Sequence, residues 1–235
     1  MSVELLESGA EELGELLGEV VFVGGATMTL WITDPAAPPP RPTKDVDVIV
    51  EVATRTACYK FEDRLRALDF RDEGHVICRW VHKRSGLILD AMPTDAELLG
   101  FENHWHREAF PHAVDRVLPS GARIRAVPPA FLLATKIEAF RGRGEADYLG
   151  SRDFADIVAL IDGREELLDE VREAPDELQA YVSAEVGAMI EEERALDGIY
   201  GQLPPDEASQ ERAETVVLPR LREIAGRDGG SQMSG

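Results

Sequence analysis

Two aspartates spaced two residues apart, Asp45 and Asp47, begin the segment Asp45-Val-Asp-Val-Ile-Val50. Residues i and i+2 of a β-strand project to the same face, so both carboxylates would share one side while the intervening valines enter the core. Two carboxylates held this close repel each other unless a cation neutralises them, and hard divalent ions prefer carboxylate oxygens. The spacing predicts a site for Mg²⁺ or Mn²⁺, although a solvated strand end produces the same short pattern.

Two further features accompany this aspartate pair. Asp90 lies in the apolar run Gly86-Leu-Ile-Leu-Asp-Ala-Met92, where a charge without a partner is costly to bury, so we expect its strand to lie beside that of Asp45 and Asp47. Gly24-Gly25 lies between a predicted strand and a predicted helix, where missing Cβ atoms let backbone N–H groups approach a phosphate, although a simple tight turn also fits. We predict that the three aspartates are metal ligands and that Asp90 also receives a proton from an acceptor group.

Local sequence patterns predict the elements that position these residues. Leucines at helical spacing between Val3 and Leu17 predict a helix, and the apolar run Val20 to Val23 predicts a buried strand. The other elements expected before residue 128 are a helix at 26–31, a Pro-rich loop at 34–42, a strand at 46–52, a helix at 54–68, a hairpin of 76–82 with 87–92, a loop at 104–112, and a hairpin of 113–118 with 123–127. A helix then begins at Pro128-Pro129, and the pattern beyond Gly150 is helical.

This order of elements predicts an α+β fold. We expect a mixed β-sheet core with flanking helices in residues 1–127, a helical C-terminal lobe in residues 128–225 and a disordered tail in residues 226–235. No apolar stretch has the length that a bilayer requires, and the first residues are acidic where a secretory signal would be basic. The chain is therefore expected to be cytoplasmic, with no membrane partner.

The charge of the chain bears on its partners. The 235 residues carry a formal net charge of -20, which repels nucleic acid unless basic side chains are concentrated on one face. Residues 161–235 contain 19 acidic and 7 basic side chains, so an RNA-binding face would belong to the earlier part of the chain.

The glycine pair, the Asp-x-Asp strand and the later strand aspartate resemble, in order and spacing, the nucleotidyltransferases of the DNA polymerase β superfamily. More narrowly, Val23-Gly-Gly-Ala-Thr-Met-Thr-Leu30 and Arg41-Pro-Thr-Lys-Asp-Val-Asp-Val48 are similar to the AbiEii/MenT group of nucleotidyltransferase toxins from bacterial toxin–antitoxin and phage-defence systems. That group adds a lysine on a helix, matched by Lys136, and an Arg-Asp-x-x-Asp helix start, matched by Arg152 to Asp156. The resemblance covers residues 20–162 and leaves the last third of the chain unmatched.

The resemblance implies that an NMP moves from an NTP onto an acceptor hydroxyl with release of pyrophosphate, that the acceptor is the 3′ end of a tRNA, and that an antitoxin protein is a partner. In such enzymes the aspartate matched by Asp153 holds the lysine or the acceptor in place. The implied catalytic residues are Asp45, Asp47, Asp90, Lys136 and Asp153. The implied nucleotide-binding residues are Gly24, Gly25, Thr27, Lys136 and Arg141.

Other interpretations of these residues stay open. Asp153 would follow a candidate N-cap, Ser151, in the first helical turn, where a carboxylate favours the helix dipole without any catalytic role. The basic side chains between Lys136 and Arg152 could grip a triphosphate or form a solvated stripe, and we expect Lys136 to be a cleft lysine that contributes little to folding. A small-molecule nucleotidyltransferase acting on a cationic aminoglycoside would suit the acidic charge, and a catalytically idle binding module is a third possibility.

Overall fold

The computed structural model describes residues 2–52, 54–75, 78–94, 103–143 and 147–226. Its internal contacts divide the chain into two compact units. Unit 1 comprises Met1–Leu30 and Arg41–Thr135, and unit 2 comprises Trp31–Pro40 and Lys136–Gly235. A short segment from the first part of the sequence therefore belongs with the C-terminal part.

Unit 1 is built on a mixed sheet with seven strands among the described residues. In chain order the strands are β1 (Val20–Val23), β2 (Asp45–Val50), β3 (Phe70–Asp72), β4 (Arg79–His82), β5 (Ile88–Pro93), β6 (Val114–Val117) and β7 (Arg123–Ala126). Their order across the sheet is β3-β4-β5-β2-β1-β7-β6. Strand β2 pairs parallel with β5, β1 pairs parallel with β7, and the other neighbours pair antiparallel.

The neighbouring strands β1 and β2 differ in which of their residues are buried. All four residues of β1 are buried, as expected for a strand covered on both faces. In β2, Val46 and Val48 are fully buried whereas Asp45 and Asp47 on the opposite face are half-buried. The predicted division of β2 into an apolar face and a carboxylate face is confirmed.

The helices of unit 1 pack on this sheet. Their bounds are α1 (Ser2–Leu13), α2 (Arg55–Ala67) and α3 (His104–Ala109), with 3₁₀ helices at Gly14–Glu19, Gly25–Leu30 and Phe110–His112. Helix α1 lies against β2 and the 3₁₀ helix that follows β1, and the approach is close because Gly9 faces the Val46 side chain. Helix α2 begins after Thr54, whose hydroxyl accepts a hydrogen bond from the Ala57 N–H at 3.1 Å.

The segment expected to be a loop, residues 104–112, is helical instead. Trp105 and Ala109 are spaced by one helical turn and are both buried. The Trp105 ring packs edge-on against Phe131, with 6.4 Å between ring centroids. Burial of this apolar pair favours a helix over a loop.

Unit 2 is helical. Helix α4 (Pro129–Arg143) crosses from unit 1 into unit 2, and the helices after it are α5 (Arg152–Gly163), α6 (Leu167–Arg172), α7 (Asp176–Met189), α8 (Glu193–Gln202), α9 (Glu207–Arg212) and α10 (Leu218–Ile224). A π-helical turn at Ala213–Val217 joins α9 to α10. None of the helices in the described ranges has the length and apolar character needed to cross a membrane.

The segment Trp31–Pro40 is irregular, as its prolines predict, and is fixed by hydrogen bonds within unit 2. The backbone N–H groups of Thr33 and Asp34 both donate to the Gly163 carbonyl, at 2.9 and 3.0 Å. The Arg212 guanidinium donates to both Asp34 and Asp162, at 2.6 and 2.8 Å. These bonds explain why the segment belongs with the helices and not with the sheet.

The predicted fold class is confirmed: a mixed sheet with flanking helices is followed by a helical C-terminal region. Strand β3 was not predicted, since its three residues are too few to show a periodicity. Residues 76–77 of the first predicted hairpin and residues 227–235 of the predicted tail lie outside the described ranges.

Candidate active site

The three predicted aspartates come together on one face of the sheet. Strand β2 lies between β1 and β5, and Asp47 is directly opposite Val23 on one side and Asp90 on the other. Directly paired residues project to the same face, and Asp45 shares that face because it is two residues from Asp47. The expected convergence of Asp45, Asp47 and Asp90 is therefore present within unit 1.

A guanidinium joins two of these carboxylates. Arg79 on β4 is the antiparallel partner of Asp90, and its Nε and Nη2 donate to Asp90 Oδ1 and Oδ2 at 2.8 and 2.7 Å. The same Nη2 donates to Asp45 Oδ2 at 3.2 Å, and the Thr43 hydroxyl donates to Asp45 Oδ1 at 2.6 Å. Hydrogen bonding to Asp90 is the main cause that raises the pKa of Arg79, so the guanidinium stays charged. We call Asp45, Asp47, Asp90 and Arg79 the carboxylate cluster.

The glycine at the end of β1 makes room for Asp47. Gly24 has a φ of +78°, and a Cβ added there would lie 2.1 Å from Asp47 Oδ2. Only a residue without a side chain fits this contact, and the positive φ favours glycine independently. The turn is closed by Thr27, which is fully buried and whose hydroxyl donates to the Gly24 carbonyl at 2.8 Å. The observed contact of Thr27 is thus within the turn, and its predicted contact with a nucleotide stays a prediction.

The carboxylate cluster fits a divalent cation in its donor chemistry. Carboxylate oxygens from two adjacent strands share a half-buried face, and the cradle at Gly24 brings the Asp47 carboxylate close to the backbone. Hard cations such as Mg²⁺ take oxygen ligands of this kind. In the described ranges, no group of three or more His, Cys, Asp or Glu side chains has the spacing of an assembled metal site. Here the Asp45 and Asp90 carboxylates are drawn around the Arg79 guanidinium instead.

The other predicted catalytic residues, Lys136 and Asp153, meet within unit 2. Lys136 on α4 is 7% exposed, and its Nζ lies 3.2 Å from Asp153 Oδ1 and 2.6 Å from Asp156 Oδ2. Both aspartates are on the first turns of α5 and are almost fully buried. Arg143 completes the group, because its Nε donates to Asp153 Oδ2 at 2.8 Å. We call Lys136, Arg143, Asp153 and Asp156 the lysine cluster.

Local structure supports the position of Asp153. The Ser151 hydroxyl accepts a hydrogen bond from the Phe154 N–H at 3.3 Å, which confirms the predicted N-cap. Burial raises the pKa of Asp153, but the hydrogen bond from Arg143 and the charge of Lys136 outweigh it, so the net shift is downward. The carboxylate is therefore ionised and forms an ion pair with Lys136, while the catalytic role that the resemblance implies for Asp153 stays a prediction.

Arg141 is not part of the lysine cluster in this structure. Its Nη1 forms an ion pair with Glu185 on α7, and its side chain is about half exposed. Its predicted nucleotide contact, like that of Lys136, stays a prediction.

Arg79 was not predicted as a site residue, and Asp156 was named only as the second aspartate of the matched motif, without a role. A sequence signal for Arg79 existed: counting outward from the Arg84-Ser85 turn places Arg79 directly opposite Asp90. The signal for Asp156 was its spacing of three residues from Asp153, which puts both carboxylates on one face of a helix.

Comparison with known proteins adds a likeness of structure. No family model matches the chain, and no curated protein matches it. Among solved structures, the chain is similar to JHP933 from Helicobacter pylori, with 14% sequence identity over 95% of this chain and 90% of that chain and a TM-score of 0.48.

Proposed function

We propose that the chain is a metal-dependent nucleotidyltransferase that moves an NMP from an NTP onto an acceptor hydroxyl. The observation that supports this most directly is the convergence of Asp45, Asp47 and Asp90 on one face of adjacent strands, beside the Gly24 turn. This combination is what phosphoryl-transfer chemistry requires: oxygen ligands for a cation and an approach for an anionic substrate.

The carboxylate cluster supplies the parts of an in-line displacement. The acceptor oxygen forms a bond to the α-phosphorus, the bond from that phosphorus to pyrophosphate breaks, and the acceptor's proton passes to a carboxylate. When bound, Mg²⁺ or Mn²⁺ would be held by Asp45, Asp47 and Asp90 and would offset the negative charge of the phosphates. Asp90 is the proposed proton acceptor, since each of its oxygens retains a second lone pair beside the hydrogen bond from Arg79.

The triphosphate contacts proposed for the two units have different support. In unit 1, the Gly24-Gly25 turn lies next to Asp47, so a phosphate bound at the turn would lie close to the carboxylate cluster. In unit 2, the proposed contacts of Lys136 and Arg141 rest on the resemblance to the nucleotidyltransferase toxins. Within unit 2, Asp153 and Asp156 hold the Lys136 Nζ from two sides.

For the acceptor we propose the 3′ end of a tRNA, and with it a toxin restrained by an antitoxin protein, on the strength of the resemblance. A second candidate is a cationic small molecule of the aminoglycoside type. The observation that favours the second candidate is the net charge of -20, which attracts a polycation and repels RNA.

A transfer assay with labelled nucleotides tests the proposal. The purified protein is incubated with each α-labelled NTP, Mg²⁺ or Mn²⁺, and either total RNA or a panel of aminoglycosides. We expect label on one acceptor class and a loss of transfer of roughly 100-fold or more in Asp47→Asn. The matched control is Asp63→Asn, which removes a carboxylate of 77% side-chain exposure from α2 and should transfer like wild type.

The outcome separates the alternatives. Label on RNA supports the tRNA acceptor, and label on an aminoglycoside supports the small-molecule acceptor. A folded protein that labels neither acceptor and does not bind NTP with Mg²⁺ would be a binding module, and the proposed activity would be wrong.

A further inference from the structure

Arg79 occupies the position in the carboxylate cluster where a positive charge is needed. Its fork contacts both oxygens of Asp90 and one oxygen of Asp45, and Thr43 donates to the remaining Asp45 oxygen. Every carboxylate oxygen of these two aspartates therefore accepts a hydrogen bond from a protein side chain. A guanidinium matches a carboxylate in a bidentate manner, which makes the Asp90 contact the stronger of the two.

The carboxylate cluster is partly buried, and this strengthens the electrostatic effect of the Arg79 guanidinium on its neighbours. The side chains of Arg79, Asp45 and Asp90 are 24%, 27% and 16% exposed. Charges interact more strongly at such a site than on an open surface, because water screens them less. The same guanidinium that relieves repulsion between Asp45 and Asp90 would therefore repel an incoming divalent cation.

We infer that Arg79 is a positioning residue that holds Asp45 and Asp90 before metal loading and competes with the divalent cation for their oxygens. This inference rests on the proposed function. The Asp45 contact, at 3.2 Å, is longer than the two Asp90 contacts, so Asp45 is released first while Asp90 stays oriented by the bidentate pair. Arg79 thereby lowers the affinity for metal and keeps Asp90 aligned for its proposed role as proton acceptor.

The test measures metal affinity and not activity. Mn²⁺ binding to the full chain is followed by electron paramagnetic resonance, and thermal unfolding is recorded with EDTA and with Mn²⁺. The variants are Arg79→Gln and Arg79→Lys, together with Asp47→Asn as the metal-site variant. The matched control is Arg64→Gln, which removes an arginine of unit 1 whose ion pair with Glu19 lies outside the cluster.

Loss of the Arg79 guanidinium should lower the stability of the protein without metal and raise its affinity for Mn²⁺. Arg79→Gln should lower the melting temperature in EDTA, because Asp45 and Asp90 lose the guanidinium. The same variant should bind Mn²⁺ roughly tenfold more tightly than wild type, since the competing charge is gone. Arg79→Lys keeps the charge but not the fork, so its affinity should lie between the two. Arg64→Gln should bind Mn²⁺ like wild type.

A purely structural role for Arg79 would give weaker binding, not tighter. Unchanged or weaker Mn²⁺ binding in folded Arg79→Gln therefore overturns the inference, and it leaves the proposed function standing if Asp47→Asn abolishes the wild-type binding. If Arg79→Gln does not fold, Arg79→Lys tests the inference instead, because the inference requires this variant to bind Mn²⁺ more tightly than wild type. If wild type and Asp47→Asn bind Mn²⁺ equally, the metal site itself is absent and both proposals fail.

Discussion

The carboxylate cluster and the lysine cluster both combine aspartates with basic side chains, but they differ in the balance of charge and in burial. Three carboxylates and one guanidinium form the first, on a face of the sheet that is still partly exposed. Two carboxylates and two cations form the second, and Lys136 and both of its aspartates are almost fully buried. A partly exposed group that is rich in acceptors leaves oxygens for a ligand, whereas each charge of the buried group already has a partner of opposite sign.

This difference changes the expectation for Lys136. A cleft lysine would contribute little to folding, but Lys136 is 7% exposed and pairs with two buried carboxylates. The predicted position in an open cleft is wrong, because the side chain is buried, and we therefore expect a large effect on stability. Removing the ammonium would leave the two aspartates without the cation that contacts both of them.

The largest expected effect is the loss of stability in Lys136→Ala, which tests whether the lysine cluster is held together by its buried ion pairs. Breaking a buried ion pair from one side should reduce the free energy of unfolding by about 3–5 kcal/mol. Urea unfolding followed by circular dichroism gives the value. The control is Lys83→Ala, whose ion pair with Asp69 is half exposed and should change stability by less than about 1 kcal/mol. Equal losses in the two variants would mean that burial does not distinguish Lys136.

The next effect concerns the carboxylate cluster. Gly24→Ala would place a Cβ 2.1 Å from Asp47 Oδ2 at a φ of +78°, so both backbone strain and displacement of Asp47 are expected. We expect a loss of roughly 2–4 kcal/mol in unfolding free energy and weaker Mn²⁺ binding. Gly86→Ala isolates the strain, because Gly86 has a φ of +74° and no atom within 4 Å of the added Cβ. Similar losses in both variants would rule out a contact specific to Asp47.

The pH dependence of the lysine cluster should be a smaller effect. The folded-state pKa of Asp153 lies below its unfolded value of about 3.9, so its stabilisation is fully present above that pH and is lost as the pH falls through the folded-state pKa. Unfolding free energies of wild type and Asp153→Asn should therefore converge in acid. Asp63→Asn, on the exposed side of α2, should show no such convergence. A gap that persists in acid would assign the loss in Asp153→Asn to packing.

The smallest effect should come from the rim of the same cluster. Arg143 donates to Asp153, but its side chain is 71% exposed. Because the Arg143 side chain is mostly in water, its ion pair with Asp153 contributes little to stability. Arg143→Gln should therefore lower the unfolding free energy by less than about 1 kcal/mol. A loss as large as that of Lys136→Ala, measured in the same urea titration, would show that Arg143 stabilises the cluster as much as Lys136 does, despite its exposure.

The sheet that carries the candidate site could be predicted because its signals are local. Alternation in Asp45 to Val50 indicates which face carries carboxylates, and the apolar surroundings of Asp90 require a partner strand nearby. The glycine at position 24 is also predictable, since a turn at the end of a buried strand favours a residue that tolerates positive φ.

Other features depend on contacts between distant residues. Nothing local in the sequence indicates that Arg79 contacts Asp45, which is 34 residues away, or that Lys136 is buried against α5. The helix at residues 104–109 was also missed, because its formation depends on burial of Trp105 against Phe131 and not on its own helix propensity. Such features arise from tertiary packing, which a single sequence does not display.

The segment Trp31–Pro40 can become ordered only late in the synthesis of the chain. Its hydrogen-bond partners are Gly163 and Arg212, and Arg212 follows Asp34 by 178 residues. Translation therefore delivers the strands on either side of the segment long before anything that can hold it. A ribosome-bound fragment that stops ahead of Gly163 would carry the segment as an open loop, and a protease added during synthesis should stop cutting there only once the C-terminal helices have emerged.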